Sequence, residues 1–179
     1  VDAAPYGHEG GNTRYSAQHV AMAHDKQKIQ EYFDQLAAPY EYSKTTMNTY
    51  LEGLVNMPKY FKKYFGIDPF VWSRDFKPGD HLAHKTHLCE YPEFKSSETF
   101  DFTLVHNQDF DAGLWKQIRK EVMKRDKQIN IWLKSRAMEL IQNPHTNQIE
   151  GALIERNHKE YYIHDKNGVV VATGGFENN

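Results

Sequence analysis

Several kinds of residue pattern are scarce in this sequence of 179 residues. It holds a single cysteine, Cys89, which excludes an internal disulfide framework. No apolar run approaches the roughly 20 residues that a membrane-spanning helix requires. The first residues also lack the basic and apolar regions of a signal peptide. We therefore expect a cytoplasmic protein without a membrane span.

An excess of charge of either sign is also missing. The 22 basic and 24 acidic residues leave a net charge of −2, so no strong field would attract nucleic acid or an anionic membrane. The basic residues within 116–127 fit the solvent-facing side of an amphipathic helix. We therefore expect no nucleic-acid partner.

Apolar residues recur at helical spacing in three stretches of the chain. Asp25 is placed to cap the first helix, and Gly66 is placed to end the second, which Pro58 should kink or split. The predicted helices cover residues 25–37, residues 43–65 and a segment that begins after its capping residue Asp111.

Strand patterns account for much of the remaining sequence. The last of them, Val169–Ala172, is a continuous apolar run, which is typical of a strand buried on both faces of a parallel sheet. Helices and strands together predict an α+β fold. The predicted strands are 70–72, 100–104, 129–133, 137–141, 149–155, 161–164 and 169–172.

Two glycine signatures stand at opposite ends of the chain. The first offers consecutive backbone amides and short polar side chains, a suitable cradle for a ring edge rich in acceptors. The second follows the apolar run, at the strand end where open α/β sheets bind ligands, although alone it would suit an ordinary tight turn. The signatures are Gly10-Gly11-Asn12-Thr13-Arg14-Tyr15-Ser16 and Ala172-Thr173-Gly174-Gly175-Phe176.

In this order the two signatures resemble the FAD-binding domain of the fumarate reductase and succinate dehydrogenase flavoprotein superfamily. The first is most similar to the branch that contains tricarballylate dehydrogenase and 3-ketosteroid-dehydrogenase-like proteins. The resemblance is carried by residues 1–20 and 112–179. It implies a helical and short-stranded capping domain joined to an incomplete Rossmann-like α/β domain that binds FAD. The implied domains are residues 1–24 (FAD-binding, isoalloxazine loop), 25–110 (capping, substrate) and 111–179 (FAD-binding).

The resemblance also implies a role for particular residues. Asp2 would bond the adenosine ribose, and Gly11, Asn12 and Thr13 would line the isoalloxazine. The backbone of Ala137 would face the adenine, and the turn at residues 172–174 would cover the cofactor. In that order, the expected FAD-binding residues are Asp2, Gly11, Asn12, Thr13, Ala137, Ala172, Thr173 and Gly174.

Two parts of the family pattern are missing from this sequence. The Gly-x-Gly-x-x-Gly fingerprint that holds the pyrophosphate would precede Val1, and the catalytic Arg and His residues of the reductases would follow Asn179. We therefore assign no catalytic residue. We expect a fragment of an FAD-dependent oxidoreductase that acts on a C–C bond next to a carbonyl or carboxylate.

The small-molecule substrate of that parent protein would be a dicarboxylate or ketosteroid-like compound. The isolated chain is expected to be inactive, to retain little or no FAD and to self-associate through an exposed sheet edge. The alternative is a stand-alone, non-enzymatic binding or interaction module.

A histidine-rich stretch before the cysteine raises the question of a metal site, because imidazole and thiolate are zinc ligands. The spacing of His81, His84, His87 and Cys89 fits no common zinc pattern, and no second cysteine pair follows. We expect no native metal site here.

Overall fold

The computed structural model describes residues 1–78 and 89–175. The chain divides into two compact units. One, which we call the inserted unit, comprises Thr13–Met123; the other, the flanking unit, comprises Val1–Asn12 and Lys124–Asn179. These boundaries differ from those of the domains expected from the sequence, and a capping role for residues 25–110 stays a prediction.

The inserted unit combines helices with a three-stranded sheet of order β1-β3-β2. Both strand pairs are antiparallel, with Ala21 opposite Phe102 and Phe70 opposite Leu104. Together with α1, which straddles the division, its elements are α1 (Gly11–Tyr15), β1 (Val20–Ala23), α2 (Lys26–Ala37), α3 (Lys44–Tyr60), β2 (Phe70–Val71), α4 (Trp72–Asp75), β3 (Phe100–Leu104) and α5 (Gly113–Met123).

Helix α2 confirms the first helical prediction. The Asp25 side chain accepts a hydrogen bond from the Lys28 amide at 2.8 Å, which satisfies one of the free N–H groups of the first turn. Ile29 and Tyr32 are buried, whereas Leu36 at the end of the same stripe is 39% exposed. The apolar stripe thus packs at its centre and reaches solvent at its end.

Helix α3 continues through Pro58 to Tyr60 and is not split there, and its winding changes after that residue. Proline has no N–H to continue the ladder of hydrogen bonds, and a π-helical turn, Phe61–Phe65, follows directly. Gly66 then ends the run with φ +68°, and its N–H donates to the Lys62 carbonyl at 3.1 Å. A left-handed residue at this position favours glycine.

The core of the inserted unit lies where α2 and α3 meet the sheet. Tyr32 occupies its aromatic part, with the Phe100 ring 5.0 Å away edge-to-face and the Phe94 ring 5.8 Å away. The buried side chains of this cluster are Ala23, Ile29, Tyr32, Leu51 and Leu54.

The flanking unit contains an antiparallel meander of three strands, β4 (Ser135–Gln142), β5 (Ile149–Arg156) and β6 (Lys159–His164), in that order. Ile154 is buried at the centre, opposite Ala137 on one side and Tyr161 on the other. The Trp132 ring packs edge-to-face on Tyr161 with the ring centroids 5.5 Å apart. The predicted strands in this region are therefore confirmed for β4, β5 and β6.

Two predicted strands are wrong. Neither 129–133 nor 169–172 forms a strand, and Val170 and Val171 are 90% and 62% exposed. An apolar run becomes a strand only when a neighbouring strand completes its hydrogen bonds. All strand pairs among the described residues are antiparallel and belong to the two small sheets. The α+β class holds as a mixture of helices and small antiparallel sheets, compatible with part of an FAD-binding domain.

Candidate functional site

The first glycine signature forms the short helix α1 rather than the loop expected from the sequence. Gly11 begins it with φ +50°, a left-handed conformation that glycine adopts without strain, and open space surrounds the position of a Cβ there. Gly11, Asn12 and Thr13 are all exposed. Their N–H groups lie in the first turn of α1, where a helix leaves its amides without intrahelical partners.

The buried side chain of Gln18 holds the other end of this signature. It is 2% exposed, and its Nε2 donates to the Thr13 carbonyl at 2.8 Å and to the Ser16 carbonyl at 2.7 Å. Its Oε1 accepts from the Leu114 amide at 3.0 Å and lies 3.4 Å from the Trp115 amide. One amide group therefore joins the end of the signature to the beginning of α5. Sequence reasoning missed Gln18, because nothing in the local pattern connects position 18 with 114.

The second signature is exposed throughout its described residues. Ala172, Thr173 and Gly174 follow residues 169–171, which form no strand. Gly174 has φ +85°, and no atom lies within 4 Å of the position that a Cβ would take there. This turn requires its glycine, because other residues are strained at such a φ. The hydrogen bonds of the described residues include none between Asn12 and Thr173. The meeting of the two signatures as walls of one pocket stays a prediction.

The structure brings Asp2 to the start of strand β4, the strand that carries Ala137. The Asp2 N–H donates to the Trp132 carbonyl at 2.8 Å, and the Asp2 carbonyl accepts from the Ser135 amide at 2.9 Å. Its carboxylate accepts from the Ala4 amide at 2.8 Å, which fixes its orientation. Ala137 is exposed, next to an irregularity in the pairing of β4 with β5.

The comparison with known protein families identifies the cofactor. A family model described as an FAD binding domain matches residues 11–179, nearly the whole chain. The chain belongs to this family. FAD is thus the cofactor of the parent family, whose members are flavin oxidoreductases. No curated protein matches the chain.

The first-turn residues of α1 fit one requirement of a flavin. The exposed N–H groups of residues 11–13 and the side chains of Asn12 and Thr13 can donate hydrogen bonds, which suits the acceptor-rich edge of the isoalloxazine. At Gly11 no Cβ occupies the space on which a flat ring would lie. The carboxylate of Asp2 keeps acceptor capacity beyond its bond to Ala4, as a sugar hydroxyl requires.

A second polar cluster, in the inserted unit, has the residue types of a hydrolase triad but a different geometry. The buried Asp101 carboxylate accepts from His24 Nε2 at 2.8 Å and from the Ser73 hydroxyl. The same His24 nitrogen lies 3.1 Å from Ser73 Oγ. A triad needs one imidazole nitrogen to face the serine and the other to face the aspartate. Here one nitrogen faces both, so this histidine is not placed to take the serine proton while the aspartate holds its other nitrogen.

Metal binding has no support in the described part of the chain, where no three His, Cys, Asp or Glu side chains form a group that could hold an ion. His81, His84 and His87 lie outside the described residues. Burial raises the pKa of the Cys89 thiol, against an opposing hydrogen bond with Ser97. The expectation of no native metal site stays a prediction.

Within the described part of the chain, no helix combines enough length with enough apolar character to cross a membrane.

Proposed function

We propose that this chain is part of an FAD-dependent oxidoreductase that acts on a C–C bond next to a carbonyl or carboxylate. The observation that carries the proposal is the family match over residues 11–179, which includes almost all of both glycine signatures. The activity would be fumarate-reductase-like, as the two signatures together suggest, or tricarballylate-dehydrogenase-like or 3-ketosteroid-dehydrogenase-like, as the first signature favours. The substrate would then be a dicarboxylate or a ketosteroid-like molecule.

FAD, when bound, supplies the hydride-transferring centre, and the residues of this chain bind and orient it. Asn12 and Thr13 donate hydrogen bonds to the isoalloxazine edge, and Gly11 lets the backbone approach the ring. Their exposure at the first turn of α1 supports this role. Asp2 accepts hydrogen bonds from the adenosine ribose. The bond from the Ala4 amide holds its carboxylate in one orientation, which lowers the entropic cost of binding.

The remaining proposed contacts come from backbone. Ala137 presents its strand backbone to the adenine, and the turn Ala172-Thr173-Gly174 closes over the cofactor. The left-handed φ of Gly174 and the open space beside it support a close approach of a flat group. Residues 25–110 would cap the substrate and exclude water. Their own packed core supports a body that can move as a unit.

The isolated chain is proposed to bind little FAD and to be inactive, because it lacks the pyrophosphate-binding fingerprint. The test is the flavin content of the purified chain after gel filtration, compared with the natural protein that contains it. One flavin per isolated chain would overturn this part of the proposal.

The role of the first signature is tested in the natural protein with the variant Asn12→Ala. Loss of one hydrogen bond to flavin should weaken FAD binding about fivefold to tenfold. The matched control is Asn107→Ala, because Asn107 is also an exposed asparagine but is not among the proposed FAD-binding residues. An unchanged affinity in Asn12→Ala, or an equal loss in both variants, would contradict the role of Asn12.

A specific observation also favours an interaction surface. Strand β4 pairs only with β5 among the described strands, and Met138 and Leu140 on it are 49% and 42% exposed. We propose that this edge mediates self-association of the isolated chain. Sedimentation of the chain should show concentration-dependent dimers that the variant Leu140→Lys abolishes. A monomer at all concentrations would contradict the proposal.

A further inference from the structure

Gln18 bonds to Thr13 and Ser16 on one side and to Leu114 and Trp115 on the other, and we call this set of hydrogen bonds the clasp. The clasp supports an inference about the proposed flavin site. We propose that Gln18 is a positioning residue, which contacts no cofactor and holds α1 in the place where Thr13 can reach the isoalloxazine. This inference rests on the proposed function for its consequence but on the hydrogen bonds of Gln18 for its mechanism.

The first step is the chemistry of the amide group. Nε2 faces two carbonyl oxygens, of Thr13 and Ser16, and Oε1 faces the amide N–H groups of Leu114 and Trp115. Only a side chain with both a donor and an acceptor can satisfy both sets at once. The carbonyls belong to the end of α1 and the amides to the first turn of α5, which are groups that helices leave unpaired. Gln18 therefore acts as a cap for two helix ends.

The second step is the rigidity of the clasp. Gln18 has φ +68°, a left-handed conformation that is unusual for a residue with a side chain. Its own N–H donates to Ser16 Oγ at 3.3 Å, and its side chain is buried. A conformation of this kind persists only where the surrounding contacts fix it. The backbone between Thr13 and Gln18 therefore has one well-defined arrangement.

The third step is the place of the clasp in the chain. Residues 13–20 begin the inserted unit, and residues 105–115 precede its last helix, α5, which ends at Met123. Beside the clasp, His19 Nε2 lies 3.8 Å from Asp109 Oδ2, and Val20 pairs with Thr103. The beginning of the inserted unit is thus tied to the segment before α5, next to Thr13. A change in this tie would move Thr13 without altering any group that is proposed to touch the flavin.

The variant Gln18→Glu separates the two halves of the clasp. Glutamate keeps an acceptor for the α5 amides but turns a carboxylate oxygen toward the carbonyls of Thr13 and Ser16, which repel it. Gln18→Met keeps the approximate length and removes both functions. The matched control is Gln35→Glu, because the exposed Gln35 also bridges two segments, donating to the Glu31 and Lys95 carbonyls and accepting from the Lys95 amide.

Hydrogen exchange in the isolated chain tests the clasp itself. In Gln18→Met the Leu114 and Trp115 amides should exchange about tenfold faster, as expected for the loss of hydrogen bonds to a buried group. In Gln18→Glu they should stay protected while the amides of residues 16–18 lose protection. If these amides exchanged at the wild-type rate in both Gln18 variants, as they are expected to do in the control Gln35→Glu, the clasp would be refuted.

Flavin binding in the natural, FAD-loaded protein tests the positioning role. Gln18→Glu should raise the dissociation constant of FAD about tenfold, the equivalent of about 1.4 kcal/mol, and shift the visible absorption bands of the bound flavin. Gln35→Glu should change neither. A disturbed clasp with unchanged FAD affinity and spectrum would overturn the positioning role alone. A wild-type protein that binds no FAD would refute the proposed function, and the exchange experiment would still decide the clasp.

Discussion

His24 Nε2 lies 2.8 Å from the carboxylate of Asp101, although 77 positions separate the two residues in the chain. Asp101 is completely buried in β3, while the His24 side chain is 47% exposed at the end of β1. The same carboxylate accepts from the Phe102 amide at 2.8 Å and from the Ser73 amide at 3.2 Å. Asp101 therefore fastens β1 and α4 to the central strand of the sheet.

We expect the variant Asp101→Ala to destabilise the inserted unit strongly. Its loss removes the acceptor of hydrogen bonds from the Phe102 and Ser73 amides, and hydrogen bonds to a charged group are individually strong. The free energy of unfolding should fall by about 2–4 kcal/mol. Urea denaturation followed by the fluorescence of Trp72, which is buried next to Ser73, measures the change.

The control for this prediction is His24→Ala. Because the imidazole is half exposed, water can reach the site, and the freed Asp101 Oδ2 keeps its hydrogen bonds from the Ser73 amide and hydroxyl. The loss should stay below about 1 kcal/mol. Equal losses in the two variants would contradict the central role of the Asp101 carboxylate.

A second prediction concerns the core between α2 and α3. Leu51 is 1% exposed within this cluster, so Leu51→Ala removes packed methyl groups and leaves a cavity. The free energy of unfolding should fall by about 3 kcal/mol. The same substitution at Leu36, which is 39% exposed, should cost less than about 1 kcal/mol. Thermal unfolding by circular dichroism compares the two variants, and a reversal of their order would refute the assignment of the core.

The sequence was informative where structure depends on nearby residues. Asp25 caps α2 because its acceptor reaches an amide three positions away, and Gly66 ends its helix through its own backbone freedom. The run 169–172 was predicted wrongly, because a strand depends on a partner that composition does not reveal. The residues of this run are hydrophobic, but the prediction that they are buried in a sheet was wrong.

In the candidate site, too, the features set by nearby residues could be predicted and those set by distant residues could not. The glycine signatures and the family could be recognised locally, and the family match confirms FAD as the cofactor of the parent family. Gln18 could not be found in this way, because two of its four partners lie nearly one hundred positions downstream, while the other two lie two and five positions upstream. The triangle of His24, Ser73 and Asp101 was missed for the same reason. Such contacts are products of the tertiary fold.

A third prediction uses Cys89 as a probe of its surroundings. Burial raises the pKa of this thiol above its ordinary value, so less thiolate is present near pH 8 than in an unfolded chain. Iodoacetamide should therefore label the folded chain several times more slowly than the chain in urea. Because the sequence has one cysteine, each labelled molecule reports this position.

The raised pKa also fixes the sign of a pH effect on stability. The folded state favours the protonated thiol, so its contribution is fully present below the unfolded pKa of about 8.5 and is lost as the pH rises through the folded pKa. The variant Cys89→Ser should lack this part of the loss between pH 8 and 10. An identical pH dependence of the unfolding free energy in both chains would contradict the prediction.

The last prediction concerns two glycines in different surroundings. A Cβ on Gly151 in β5 would overlap the Ile163 carbonyl oxygen and lie 3.2 Å from the His164 Cα, both on the backbone of β6. Backbone cannot move aside as a flexible side chain can, so Gly151→Ala should break the pairing of β5 with β6 at that end. We expect a loss of at least about 2 kcal/mol. Hydrogen exchange of the β6 amide groups measures this loss of stability directly.

The matched variant is Gly53→Ala in the interior of α3. Nothing lies within 4 Å of a Cβ at Gly53, and alanine is the better helix former, so this change should raise the stability of the inserted unit by about 0.5–1 kcal/mol. The same substitution is thus expected to act in opposite directions at the two sites. If Gly151→Ala left the β6 amides as protected as before, the close approach of β5 and β6 at Gly151 would be refuted.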